Sequence, residues 1–293
     1  MTYKLPYIIF ALLLCVQTNL RAQVPASEKL ALIDLYESTR GNSWTEQWNL
    51  QSPIDQWYGV EVVDNHVVGL ILYENNLSGT LPASLRNLGH LVVLDLALNR
   101  LKGELPYEIT ELSRLKVLRL EMNELTGALS QDFSKMKALE QLVASTNNFT
   151  GAVPNTLGSV KQLSILDLSN NSFSGNLPKT LGNLVNLNVI DVSGNSLEGE
   201  VDLHFGGMQK LTEVDLSFNR FTGSLPNDFA SLTELQTVQL QGNGFNSLDN
   251  LQNMASIYIY DFETDDMNLN LKYKKTFDGQ FRTANTLFED GND

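Results

Sequence analysis

Cysteine is almost missing. The 293 residues hold one, Cys15, and it sits inside an N-terminal apolar run. A disulfide framework and a thiolate metal site are thereby excluded for the rest of the chain. Histidine is scarce as well, with three residues, His66, His90 and His204. No later stretch approaches the roughly 18 consecutive apolar residues of a membrane-spanning helix, so no membrane insertion is expected. Basic residues are outnumbered, 20 Lys and Arg against 34 Asp and Glu. Such a balance repels phosphate backbones and anionic lipid, which argues against nucleic acid and membrane surfaces as partners. No GxSxG nucleophile elbow and no phosphate-cradling glycine loop is present.

What is present starts with a leader. Lys4 supplies a positive first region, Leu5 to Val16 a short apolar run, and Ala22 a small residue before Gln23. This pattern predicts a secretory signal over residues 1–22, removed on export. A lipoprotein signal on Cys15 is the rival reading, but bulky Leu14 stands where a small residue is wanted. Loss of Lys4 and Arg21 with the leader leaves 18 basic against 34 acidic residues, a formal charge of −16. The exported chain then has no thiol and must be held by core burial, which a domain of this length can supply.

The main signal is a repeat. From Val67, eight windows of 24 residues run without a gap to residue 258. The ninth position is always Asn: Asn75, Asn99, Asn123, Asn147, Asn171, Asn195, Asn219 and Asn243. The thirteenth is Gly in all but the last window, from Gly79 to Gly223, and Pro often follows at the sixteenth, as in Pro82 and Pro154. Apolar fourth and sixth positions, such as Leu94 with Leu96, alternate with polar neighbours as in a short strand. Strands of successive windows should stack in parallel about 4.8 Å apart. The Asn amide should form a ladder with backbone groups that leave the strand, and the Gly should take positive φ. Leu85 with Leu88, or Leu157 with Val160, should fill the opposite side of the coil.

Windows such as LSILDLSNNSFSGNLPKTLGNLVN, beginning at Leu163, resemble the plant-type leucine-rich repeats. That class is found in receptor-kinase ectodomains, polygalacturonase-inhibiting proteins and similar secreted bacterial proteins. The resemblance implies an α/β solenoid: a right-handed leucine-rich-repeat superhelix with a parallel β-sheet on its concave face and caps at both ends. Residues 23–66 resemble the N-terminal cap, with a helix that Ser27 can cap and Gly41 can end, then Trp57-Tyr58-Gly59-Val60 leading into the first strand. Plant caps carry a cysteine pair here, whereas this chain has Ile54 and Val62 near those places. Packing of Trp44, Trp48 and Trp57 should close the cap instead. The leader and the cysteine-free cap fit a Gram-negative bacterial protein that is secreted or held at the cell surface or in the periplasm. Ile257–Tyr260 and Leu269–Tyr273 read as further strands, and residues 259–293 as C-terminal cap and tail.

No catalytic residue and no cofactor is expected. The histidines read as scattered surface residues, and no spacing suggests a metal site. Acidic Asp261, Glu263, Asp265 and Asp266 offer oxygen ligands, but their order matches no calcium loop. The strand face is left. Its outward positions are taken as the third, fifth, seventh and eighth of each window, and ligands of solenoids dock there. Asp167, Asp191 and Asp215, each followed by a serine two residues on, look generic. The departures stand out: Tyr73, Glu74, Leu98, Arg119, Glu121, Met122 and Phe218. Exposed aromatics and Arg are typical interface anchors. The expectation is a monomeric, non-enzymatic module that binds an extracellular protein, peptide or glycan. The alternative is a surface structural or adhesion element without a discrete ligand site.

Overall fold

The computed structural model describes residues 23–248, 251, 254, 261–265 and 281–283. The leader with Cys15, the two strands expected at 257–260 and 269–273, and the chain end lie outside the described residues. Among the described residues no helix is long and apolar enough to cross a membrane.

The chain opens with helix α1 (Ala26–Ser38), which buries Ala31, Leu32, Leu35 and Tyr36. Both expected helix signals are displaced. Pro25, not Ser27, stands at the N-cap, and its carbonyl accepts the Glu28 and Lys29 amides at 3.0 and 3.1 Å. At the other end Arg40 takes the left-handed conformation (φ 58°) expected of Gly41. Gly41 serves a different need, because a Cβ there would overlap the Tyr36 ring. The expected tryptophan packing is found. Trp44 and Trp48 meet edge to face at 4.9 Å, and Trp48 stacks on Trp57 at 4.8 Å. Each indole N–H donates to a backbone carbonyl, so three large rings are buried with no orphaned donor.

Next comes a hairpin that the repeat pattern did not announce. Strand Val60–Val63 pairs antiparallel with His66–Ile71, and the turn residues Asp64 and Asn65 both have positive φ, as a two-residue hairpin loop requires. From His66–Ile71 onward the strands are parallel. Ile71 pairs with Asp95, Asp95 with Arg119, and Arg119 with Val143, and the same step of 24 residues continues to Thr237 with Asp261. The step from Phe262 to Phe281 is shorter. The result is an eleven-stranded sheet.

The asparagine ladder explains the fixed spacing. Asn99 donates to the carbonyls of Leu96 and Ala97 in its own coil and of Leu72 in the preceding one, at 2.8–3.0 Å. Its Oδ1 accepts the Asn75 and Leu77 amides at 3.1 and 2.8 Å. One side chain thus satisfies backbone groups of two coils where the strand ends. Asn75 has no earlier coil below it, and the Glu46 backbone takes that place, giving its N–H at 2.6 Å and its C=O at 3.2 Å.

A second parallel sheet of eight strands follows the ladder, a feature absent from the sequence reading. Gly103, Gly127, Gly151, Gly175, Gly199 and Gly223 lie in it at φ 73–80°, and their neighbours stack in register, as Gly103 does with Leu125. Short 3-10 turns such as Ala83–Asn87 complete most coils, and α1 is the lone α-helix among the described residues. The leucine columns and Phe149, Phe173 and Phe221 fill one continuous core. Each such fully buried side chain contributes about 1.5–3 kcal/mol relative to exposure.

Candidate functional site

On the long sheet the fifth position of each window projects outward. Ile71, Asp95 and Arg119 occupy it on three adjacent strands, which places them within about 10 Å. Tyr73 stands beside them, 45% exposed. The Arg119 guanidinium donates twice to one oxygen of Glu121, from Nε at 2.9 Å and from Nη2 at 2.6 Å. That bond is the main reason Arg119 is held protonated more firmly than usual. Partial burial opposes it, and the nearby charges of Glu121 and Asp95 add to it.

The seventh position differs from expectation. Glu121 is buried, as are Ala97, Ser169, Ser193, Ser217 and Gln241 in the same column. Coils about 4.8 Å apart shield a side chain of this column from above and below. Glu121 is therefore corrected from a contact residue to one that grips Arg119 from below. Its second oxygen, Oε2, is buried with no hydrogen-bond partner among the described residues. An orphaned carboxylate oxygen is a cost that a purely structural position would avoid.

The eighth position is exposed for a reason the sequence hid. Glu74, Leu98, Met122, Thr146, Asn170 and Phe218 all have φ between 51 and 56°, and Gly194 and Gly242 share the left-handed region. Glycine or asparagine suits this conformation, whereas a bulky side chain is strained there by about 1–2 kcal/mol. The chain nevertheless keeps Leu98, Met122 and Phe218 in it, the last two 52% and 59% exposed. The ring of Phe218 leans over Gly242, where a Cβ would come within 2.6 Å of Cδ1. Six of the seven candidates, Tyr73, Glu74, Leu98, Arg119, Glu121 and Met122, thus gather on three neighbouring coils. Phe218 does not join them, lying four coils away, about 19 Å at one strand spacing per coil.

Farther along the sheet Asp167, Asp191 and Asp215 each accept the hydroxyl of the serine two residues on, at 2.6–2.7 Å. Burial pushes Asp191 up to about 6; the bond from Ser193 opposes this, and the charges of Asp215 and Asp167 reinforce it. Asp215 is raised for the same first reason.

One constellation was missed. The carboxylate of Glu28, the ring of His66 and the ring of His90 meet at the start of the long sheet. His66 and His90 are 24 residues apart and so occupy one column of adjacent coils. That signal was available. His204 lies apart, exposed beside Asp228.

Comparison with known proteins agrees with this architecture. The Leucine Rich Repeat family model matches residues 162–184 and 210–232. No curated protein matches the sequence. Among solved structures, the chain is similar to the ectodomain of the Arabidopsis thaliana receptor kinase GASSHO1/SCHENGEN3 in complex with CASPARIAN STRIP INTEGRITY FACTOR 2. The TM-score is 0.75 at 24% identity, covering 81% of this chain and 30% of that one. It is similar to the plant peptide hormone receptor RGFR1 in complex with RGF2, with TM-score 0.61 and 28% identity over 65% of this chain and 30% of that one. The ectodomain of BIR2 from Arabidopsis thaliana matches with TM-score 0.51 and 29% identity, over 60% of this chain and 95% of that one. The chain spans about 30% of the length of the first two.

Proposed function

The chain is a leucine-rich-repeat solenoid, and from that premise we propose that it is an exported binding module for a peptide or an extended protein segment. The partner lies along the outer face of the long sheet across the first three coils. Tyr73, Leu98 and Met122 supply apolar contact, and Arg119 fixes orientation while Glu121 holds it in place. Residues 1–22 act as the export leader and residues 23–66 as the N-terminal cap. The cysteine-free cap supports a bacterial origin.

One observation carries this reading. The chain keeps large side chains at left-handed positions where glycine is unstrained, and does so next to an arginine gripped by a carboxylate whose second oxygen is orphaned. Backbone strain and an unmet polar atom in one place mark a site selected for something other than stability. The similarity to a plant peptide hormone receptor in complex with RGF2 supports the ligand class. A glycan is the second candidate, because Tyr73 offers a sugar-stacking ring.

The test is a peptide and glycan array probed with the exported protein, followed by titration of the hits. A peptide hit that weakens at least tenfold in Tyr73→Ala and Arg119→Ala is the expected result. A panel of hits insensitive to both substitutions contradicts it.

A further inference from the structure

The strongest unassigned chemistry lies at the opposite margin of the sheet. Glu28 belongs to α1, His66 opens the first parallel strand, and His90 enters the second coil, so three separate elements deliver three donors to one point. We infer that Glu28, His66 and His90 form a binding site for a divalent transition metal, with zinc as its natural occupant.

Glu28 is almost wholly buried, and it is aimed. Its Oε2 accepts the Val67 N–H at 2.8 Å, which fixes the carboxylate and leaves Oε1 pointing at the histidines. Nδ1 of His66 lies 2.6 Å from Oε1, and Nδ1 of His90 lies 3.9 Å from the same atom. The two rings stack at 3.6 Å between centroids. A hydrogen-bonded staple between α1 and the strand accounts for Glu28 and His66. It does not account for His90, which is brought to the same oxygen beyond hydrogen-bond reach.

A shared metal ion accounts for all three. Donors bound at 2.0–2.1 Å around a tetrahedral zinc ion stand roughly 3.4 Å apart. The observed separations of 2.6 and 3.9 Å from Glu28 straddle that value, and the three ligand atoms lie within 4.8 Å of one another, so the rings close on an ion by turning toward it. Each histidine side chain is about one-third exposed, which permits that turn and opens a path from solvent. Two imidazoles with one carboxylate suit zinc, and also copper(II) or nickel(II). The set is too poor in oxygen for calcium or magnesium and lacks the thiolates that soft ions prefer. Three protein ligands leave a fourth position for water or for a donor from a partner. The Val67 bond to Glu28 then orients the carboxylate ligand from behind.

The experiment uses untagged exported protein, stripped with a chelator and titrated with zinc chloride by calorimetry, with melting followed in parallel. One ion per chain is expected, with a rise in Tm of about 5 °C or more at a hundredfold excess over Kd. Supporting groups alone change metal affinity about 10–100-fold, so His90→Ala should weaken binding at least tenfold. The same substitution should lower the Tm of the metal-free protein only slightly, because His90 supplies ring stacking and no hydrogen bond of the staple. His90→Gln, which retains bulk at the position, should behave likewise. Cobalt(II) should give the visible absorption of a tetrahedral site in the parent and not in either variant. The proposal is overturned if the parent shows no saturable zinc uptake, or if both His90 variants bind zinc as the parent does.

Discussion

The first three coils and the fifth to seventh share one backbone and differ in what they put on it. In the later coils every Asp accepts the hydroxyl of the serine two residues on, and the seventh column is buried. Apart from the exposed ring of Phe218, that stretch is closed on itself. In the early coils the same positions hold Ile71 with Tyr73, Asp95 with Ala97, and Arg119 with Glu121, and the eighth position holds Glu74, Leu98 and Met122. Polar satisfaction there is incomplete and apolar surface is exposed. A repeat scaffold separates the two demands: the asparagine ladder and the leucine columns carry stability everywhere, so the outward side chains are free to carry function locally.

The sharpest way to test that separation is to damage the scaffold itself. Trp57→Ala should cost about 3–5 kcal/mol, because the ring is buried and stacked on Trp48. Denaturant unfolding reads this directly, and reducing agent should leave the transition unchanged. A variant as stable as the parent would mean that the tryptophans do not close the N-terminal end. Next in size is the ladder. Asn123→Ala and Asn195→Ala each orphan several backbone groups and should each lose roughly 2–4 kcal/mol, with similar values in both halves. Unequal losses would show that the halves differ in backbone and not only in surface.

A smaller effect belongs to the later coils alone. The Asp191 carboxyl sits at about 6, above its ordinary value near 4, so the folded chain binds that proton more tightly than the unfolded one. Its contribution to stability is therefore greatest below about pH 4, falls as pH rises through about 6, and is least at neutrality. Acidifying from about pH 7 to about pH 5 should relieve the strain in this ladder, and Asp191→Asn should raise Tm at neutral pH while reducing the gain on acidification. A variant that melts below the parent at neutral pH would show that the charged form is stabilising. The smallest effect concerns the strained column. Met122→Gly should be neutral or stabilising by about 0.5 kcal/mol, the relief of left-handed strain exceeding the added chain entropy. Gly194→Met should lose about 1 kcal/mol for the converse reason.

Much of this architecture is legible in the sequence. The repeat was legible because Asn, Gly and Leu recur at fixed positions, each for a backbone reason that neighbouring coils share. The Glu121 burial was not, because exposure in the seventh column depends on the flanking coils and not on the local pattern. Left-handed geometry at the eighth position was written plainly in Gly194 and Gly242 but masked by Leu98, Met122 and Phe218, which such a backbone disfavours. The hairpin at Asp64-Asn65 carried turn chemistry that the search for a 24-residue period passed over. The histidine pair shows a different failure: its members obey the period, yet they were read as scattered surface residues. Glu28 could not have been placed beside them from spacing, since α1 lies outside the repeat.

The central claim is that recognition is confined to the first three coils. Its most direct test is a titration of one identified peptide ligand against four variants of the protein without residues 1–22. Tyr73→Ala and Arg119→Ala should each weaken binding by about 2 kcal/mol, near thirtyfold; Tyr73→Ala should hardly change Tm, whereas Arg119→Ala should lower it by leaving the buried Glu121 carboxylate unpaired. Ser193→Ala and Ser217→Ala should leave affinity within about twofold of the parent. Loss of affinity in the serine variants with none in Tyr73→Ala and Arg119→Ala would place the ligand on the later coils and contradict the account.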